Sequence, residues 1–298
     1  MSTASVRLIR SDSPAPQTAA PRYSLLLSTD TEDIVAAQRL RHEVFSTEPG
    51  YTLPDCTLPD YTLPDDTLPD YTLPGGVDRD ADRFDEFCDH LLVRDDATGE
   101  LVGCYRMLPP PGAIAAGGLY MATEFDVEGL DALRPSLVEM GRAVVRADHR
   151  NGAVVLLMWT GILAYLDRCG YDHVAGCVSV PLHDPTGDLA PGRQLRGVRD
   201  FVRRRHAAPV CHTVRPHCPV VLDGRGLDDI APPPRVVVPP LLRGYLRLGA
   251  QVCGEPAHDP VFGVGDLPAL LDKRQADMRY LRRLRSAGTA ATLTGAER

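Results

Sequence analysis

A chain of 298 residues, 44% of them hydrophobic, is long enough to bury the core of one large α/β domain or two small ones. Its formal charge of −8 argues against nonspecific nucleic-acid binding, which needs a surplus of Lys and Arg to meet phosphates. No apolar run approaches the ~18 residues of a spanning helix, and the N-terminal MSTASVRLIRSDSPAPQTAAPR lacks the apolar stretch of a signal peptide. A cytoplasmic protein is therefore expected, at most peripheral on the inner face of the membrane.

Residues 1–21 are polar and Pro/Ala-rich and read as a disordered tail. RYSLLL (22–27) predicts a strand. From Thr31, with Asp30 or Thr31 as cap, Ile34, Ala37, Leu40, Val44 and Phe45 follow the helical period. A tandem repeat then runs from Tyr51 to Gly75: YTLPD, CTLPD, YTLPD, DTLPD, YTLPG. Proline in every copy excludes helix interior and central strand, and few apolar groups leave little to bury, so 49–76 is expected as an inserted loop. Its aspartates (Asp55, Asp60, Asp65, Asp66, Asp70) carry more than half of the net negative charge.

DRDADRFDEFCDH (78–90) is acidic and leads into a strand at Leu91-Leu92-Val93. Asp95–Gly99 reads as a turn, LVGCYRML (101–108) as the returning strand of a hairpin, and Pro109–Gly118 as a loop. LVEMGRAVV (137–145) is a strand, 154–169 a helix around Trp159, and HVAGCVSV (173–180) a strand. With a short turn at Gly170 these make a βαβ crossover after an antiparallel meander. Beyond Pro181 the chain reads as irregular to Leu241, and an amphipathic basic helix is expected from Leu267 to Arg285. The sum is a mixed α/β sheet flanked by helices, one domain over 22–285, with 182–285 as a C-terminal extension and 286–298 as a second disordered tail. The eight cysteines form no C-x-x-C pair and mostly sit in apolar runs, which fits reduced, buried thiols.

Glu139 and Arg142 interrupt an apolar strand. A carboxylate there is costly unless paired or used. One reading is an ion pair with Arg41 or Arg106; the other is a carboxylate that orients or deprotonates an amine. A spacing of three puts the two on opposite faces of a regular strand, and Gly141 invites a bulge that re-aims one. Arg41, Phe45, Asp82, Asp85, Arg106, Glu139 and Arg142 form an ordered series beside apolar sequence, which predicts a polar cavity roofed by the first helix and floored by the sheet. The turn at 149–153 opens a helix, and its free N–H groups beside Arg146 and Arg150 suit a phosphate. Cys211, His212, His217 and Cys218 have soft-ligand chemistry but no knuckle spacing and are split by Pro216, so no metal is expected. Arg196, Arg199, Arg203, Arg204 and Arg205 read either as solvated surface or as a docking patch for an acidic partner. The basic C-terminal helix, carrying Lys273, Arg274, Arg279, Arg282, Arg283 and Arg285, either packs on the domain or lies on an anionic membrane.

The blocks DRFDEFCDHLLVRD, LVGCYRML, GGLYMATEFD, LVEMGRAVVRADHRNG, LLMWTGILAYL and HVAGCVSV, in that order, resemble the ornithine-lipid N-acyltransferases. These are a branch of the GNAT superfamily related to the acyl-homoserine lactone synthases. VVPPLLRGYLRLGAQVCGEPAHDPVFGVGDLPALLD resembles the same family's C-terminal region, and the resemblance covers about Arg22 to Tyr280. It implies a GNAT fold whose sheet splays between the strands of Glu139 and Gly176, with an acyl-pantetheine thioester in the notch and its carbonyl polarised by backbone N–H groups. It implies transfer of a 3-hydroxyacyl chain from acyl carrier protein to the α-amine of ornithine, giving lyso-ornithine lipid, with no permanently bound cofactor and acyl-CoA as the other possible donor. Glu139 is then base or amine anchor, with Arg142 beside it. Arg41, Phe45, Asp82, Asp85 and Arg106 bind the substrate, Asp82 and Asp85 meeting a cationic amine. Val144, Arg146, Arg150, Asn151 and Gly152 bind the acyl donor. One departure bears on that donor. The GNAT pyrophosphate loop reads Q/R-x-x-G-x-G/A, whereas here His149 and Val154 stand around Gly152, which favours a carrier protein, lacking the adenosine diphosphate portion, over coenzyme A. Another small amine as acceptor, or an acyl-homoserine-lactone-type signal synthase, are the alternatives.

Overall fold

The computed structural model describes residues 6–11, 23–48, 78–150, 152–277, 279 and 291–292. The YTLPD repeat, Asn151, Arg282, Arg283 and Arg285 lie outside these residues. β1 (Val6–Ser11) pairs antiparallel with β2 (Tyr23–Ser28). α1 (Thr31–Thr47) is capped by Asp30, whose carboxylate accepts from the Glu32 N–H at 2.9 Å. β3 (Asp89–Asp95) and β4 (Leu101–Leu108) form the expected hairpin. Period two sorts their side chains: Leu92 and Cys104 pack under Ala37, Leu40 and Val44 of α1, while Leu91 and Val93 face the opposite layer.

The stretch read as a loop after β4 contains a short helix, α2 (Pro110–Ala115). Two prolines in its first turn remove only N–H groups that have no helical partner. β5 (Phe125–Asp126) precedes β6 (Leu137–Val145), which pairs with β4. α3 (Ala153–Cys169) crosses over the sheet, placing Trp159, Ile162 and Leu163 on Leu25, Leu91 and Val93, and β7 (His173–Pro181) returns parallel to β6.

Beyond Pro181 the structure departs from the sequence reading twice. The basic stretch is a helix, α4 (Arg193–Arg205), whose buried Leu195, Val198 and Val202 recur at helical spacing. Small pairings follow: β8 (Arg215–Pro216) joins β5, and β9 (Val221–Leu222) joins β10 (Arg225–Gly226). Then come α5 (Pro240–Leu248), β11 (Gln251–Val252), β12 (Ala257–Asp259), β13 (Val264–Asp272) and β14 (Ala291–Thr292). The expected C-terminal helix is thus corrected over its first six residues. Leu267–Asp272 lies in β13, antiparallel to β7 along its whole length, with Leu267, Leu270 and Leu271 buried. An apolar run this short fits a strand buried on both faces as well as a helix, and Pro268 falls in the gap between the β12 and β11 pairings, where its missing N–H costs no ladder bond. The alternative in which that helix lies on a membrane loses Leu270 and Leu271 as an exposed face. The tails expected to lack structure contribute β1 and β14 to the sheet edge.

The sheet order is β11-β13-β7-β6-β4-β3-β2-β1-β14, with β12 on β13. No helix among the described residues is long and apolar enough to cross a membrane. The feature that positions the site is the β6–β7 junction. Only Leu137, Val138 and Glu139 pair with β7, although β6 continues to Val145 and β7 to Pro181. At the vertex the backbones nearly touch: a Cβ on Gly176 would stand 2.2 Å from the Met140 carbonyl oxygen. Gly176→Ala is therefore expected to pry the junction apart and lower stability by about 1–3 kcal/mol, read as an earlier urea midpoint; an unchanged midpoint would refute this account of the vertex.

Candidate active site

The bulge invited by Gly141 is present, and it re-aims Arg142. Cys104 pairs with Val144 and Arg106 with Gly141, so Arg142 and Ala143 together oppose Tyr105. The left-handed residue is Arg142 itself, at φ +52°, a conformation that costs a side-chain-bearing residue on the order of 1 kcal/mol. The turn swings its guanidinium towards Asp80 (Nε–Oδ2 3.1 Å) and Asp82 (3.3 Å), over the Tyr120 ring at 5.0 Å.

Arg142 joins a buried network of three arginines and three aspartates. Arg41, 1% exposed, donates both terminal nitrogens to Asp85, at 2.9 and 2.8 Å, and its Nε lies 2.8 Å from Asp80. Arg106, 4% exposed, reaches Asp82 at 2.6 Å and Asp85 at 3.2 Å. Gln38 donates to Asp85 at 2.9 Å. Burial opposes ionisation of these carboxyls, but the arginine charges outweigh it and hold Asp85 far below the usual carboxylate range, and Asp82 below it. Formal charges within the network cancel. Asp82 and Asp85, expected to meet a substrate amine, are here engaged by arginines.

Glu139 does not join that network. It is 4% exposed, sits at the last parallel pair, and accepts from the backbone N–H groups of Tyr120 and Met121, the latter at 2.6 Å. Burial pushes its carboxyl up to about 7, against the pull of those two N–H groups and of Arg106. A carboxyl held there exchanges a proton near neutral pH.

Where β6 and β7 diverge, a cavity of about 920 Å³ opens, within the size of small-ligand sites. One end is apolar: Val144, Val155, Leu156, Met158 and Trp159, closed over by Leu241 and Tyr245 of α5. The Tyr245 hydroxyl is hydrogen-bonded to that of Tyr105, and its ring stands edge-on to Trp159 at 5.3 Å. The other end is polar. Of the residues singled out in the sequence, Phe45, Arg106, Glu139, Arg142, Val144, Arg150 and Gly152 line the cavity. Arg41, Asp82 and Asp85 stand behind the wall. Arg146 is paired outside it with Glu100 and Asp148, and Arg150 is held by Glu48 at 2.6 Å. Cys211, His212, His217 and Cys218 do not converge; among the described residues the only group of metal-type ligands that meets is Glu124, Asp259 and Asp266. Those three acids and Asp80 escaped the sequence reading, although TEFD and HDPVFGVGD set acids beside apolar residues much as VEMG does.

A sheet splayed beside a bulged strand, with a cavity in the notch, is the architecture of a GNAT-type acyltransferase, and a family described as an acetyltransferase (GNAT) domain matches residues 70–160. The solved CoA-dependent acyl-homoserine lactone synthase BjaI, with SAM and isopentyl-CoA, aligns over 88% of this chain and 85% of its own, at 16% identity and a TM-score of 0.46. L-ornithine N(alpha)-acyltransferase of Brucella abortus is 35% identical over 213 residues, 68% of this chain and 73% of that protein. The one from Rhizobium meliloti is 32% identical over 264 residues, 86% and 81% of the two chains. The chain belongs to the L-ornithine N(alpha)-acyltransferase family, and it is an N-acyltransferase.

Proposed function

We propose that the protein transfers a fatty acyl chain, 3-hydroxylated in the expected substrate, from the phosphopantetheine thioester of acyl carrier protein to the α-amine of ornithine, giving lyso-ornithine lipid. The observation that carries this reading is Glu139. A carboxyl with its proton affinity raised to about 7 stands at the vertex of the splay, between an apolar passage and a charged pocket. In this reading the acyl chain runs between α3 and α5, where Val155, Leu156 and Leu241 remain exposed at the cavity. The thioester carbonyl lies along β6, where the bulge frees backbone of Arg142 and Ala143 from the ladder. The amine attacks the carbonyl carbon, Glu139 takes its proton, and the carrier thiolate leaves.

A carrier protein suits the entrance better than coenzyme A. Arg146 and Arg150, the cations beside the expected pyrophosphate turn, are already paired with Glu100, Asp148 and Glu48. Arg243 and Arg247 on α5 are exposed and line the cavity, a match for one phosphate and an acidic carrier. On α4, Arg196, Arg199 and Arg203 are engaged with Asp200, Asp228 and Glu255, and Arg204 and Arg205 follow as its exposed basic end.

The test is mass spectrometry of lipids from a host that makes no ornithine lipid, with and without this chain. Monoacylated ornithine is the expected new species. An acylated lactone, or acylation of a different amine, would overturn the acceptor assignment.

A further inference from the structure

Across the splay from Glu139 the cavity has a second charged wall, with no part in the chemistry above. Glu124 just before β5, Asp259 at the end of β12 and Asp266 on β13 bring one carboxylate oxygen each to within 4.8 Å of one another, and all three line the cavity. Asp266 stands opposite Ser179 of β7 and accepts from its hydroxyl at 2.6 Å. Asp259 accepts from the backbone N–H groups of Val261 and Phe262, at 2.8 and 3.1 Å. The two aspartates are 4% and 7% exposed. Glu124 meets the Cys177 thiol, yet its Oε2 is sealed from solvent and has no hydrogen-bond partner.

Among the described residues, none of the three is ion-paired with Arg, Lys or His. Arg142 acts on all of them only at longer range. Burial, and for Glu124 and Asp266 the neighbouring carboxylates, push all three upward, Asp266 to about 7. Packing acids together in a dry wall without a counter-ion weakens a fold, so the arrangement is explained by what it receives. Three atoms no more than 4.8 Å apart have a common point at most about 2.8 Å from each, the length of a charge-assisted N–H···O bond. An ammonium group has three N–H donors for three such acceptors.

We propose that Glu124, Asp259 and Asp266 are the seat of the acceptor's distal ammonium, and that they select a diamino acid over neutral amino acids of the same length. The assignment rests on the reading that the acceptor is an amino acid with a second amine. It gives the acceptor two charged ends, one in this seat and one, the reacting amine, left for Glu139.

The experiment compares kcat/KM for L-ornithine and for L-norvaline, which lacks only the distal amine, in the full-length wild type, Asp266→Asn and Glu124→Gln. The wild type is expected to prefer ornithine by about 100-fold or more. Each substitution removes a charge-assisted hydrogen bond and is expected to raise KM for ornithine about 10- to 100-fold, with the preference over norvaline falling by the same factor. Neither should lower the melting temperature of the free protein, since each relieves a crowded charge. Equal use of ornithine and norvaline by the wild type, or a variant that loses both in proportion, overturns the proposal. So does saturable Ca²⁺ or Mg²⁺ binding that disappears in Asp266→Asn while the ornithine KM stays put. If no amino acid is acylated, the functional reading fails by itself. Calorimetry with n-butylammonium then decides the seat: binding lost in Asp266→Asn upholds it, and no binding to the wild type sinks it.

Discussion

Glu139→Gln is expected to lower kcat for acyl transfer by roughly 10²- to 10⁴-fold, the usual contribution of a positioned general base, while the fold persists. Glutamine keeps the acid's shape and one of the two oxygens that accept from the turn at Tyr120–Thr123. The pH profile separates a base from a merely structural carboxyl. At saturating acceptor, wild-type kcat should climb as pH rises through about 7, where Glu139 gives up its proton, and the variant's residual kcat should lack that limb. Stability should move in the opposite sense. Because the folded protein holds this proton more tightly than the unfolded chain does, the buried charge weakens the fold progressively from about pH 4.5 to 7, and fully above it. The variant has no such charge, so its stability should stay level between pH 4 and 8, where the wild type loses on the order of 3 kcal/mol. Turnover in Glu139→Gln at the wild-type rate would remove Glu139 from the chemistry.

The second large effect lies behind the cavity wall. Asp85→Ala leaves Arg106 with a shortened set of partners and strips Arg41 of its bidentate acceptor, in a region closed to water. Breaking a buried ion network from one side costs about 3–5 kcal/mol, because the remaining charges keep their burial and lose their compensation. A urea titration should show the midpoint falling accordingly, with turnover falling too, since Arg106 and Arg142 share Asp82 and the cavity wall. Asp85→Asn, which keeps the acceptor oxygen and loses the charge, should be milder. Both Asp82 and Asp85 are held below the ordinary carboxylate range. Their contribution is complete above about pH 4 and fades as pH falls further, so acid should erode the wild type and leave Asp85→Ala comparatively unaffected. An Asp85→Ala protein as stable as wild type would show that α1 is held by its apolar face alone.

The sequence by itself determined what depends on local periodicity. β4 and β6 have the predicted limits, Leu101–Leu108 and Leu137–Val145, and α3 begins one residue early, at Ala153. β4 and β6 are short apolar runs buried on both faces and bounded by turn signals, and α3 is a longer apolar run, so length and flanking residues mark the elements. The bulge was legible too, because a glycine inside an apolar strand has few other uses. The splay followed from the family resemblance, and the three-residue β6–β7 pairing agrees with it. Local pattern failed where two structures satisfy it equally. LPALL was compatible with helix or strand until β7 supplied a partner for each of its residues.

Only the tertiary structure decided which charge meets which. Asp82 and Asp85 were legible as members of a charged series, but their engagement by Arg41, Arg106 and Arg142 depends on where α1 crosses the sheet. Glu139 was legible as a misplaced acid, yet its partners are two N–H groups in a turn almost twenty residues earlier. Glu124 is distant in sequence from Asp259 and Asp266, and the three meet only once β13 has paired with β7. Hydrophobic burial repeats with the backbone and so leaves a periodic trace, whereas an ion pair depends on one distance between two side chains and leaves none.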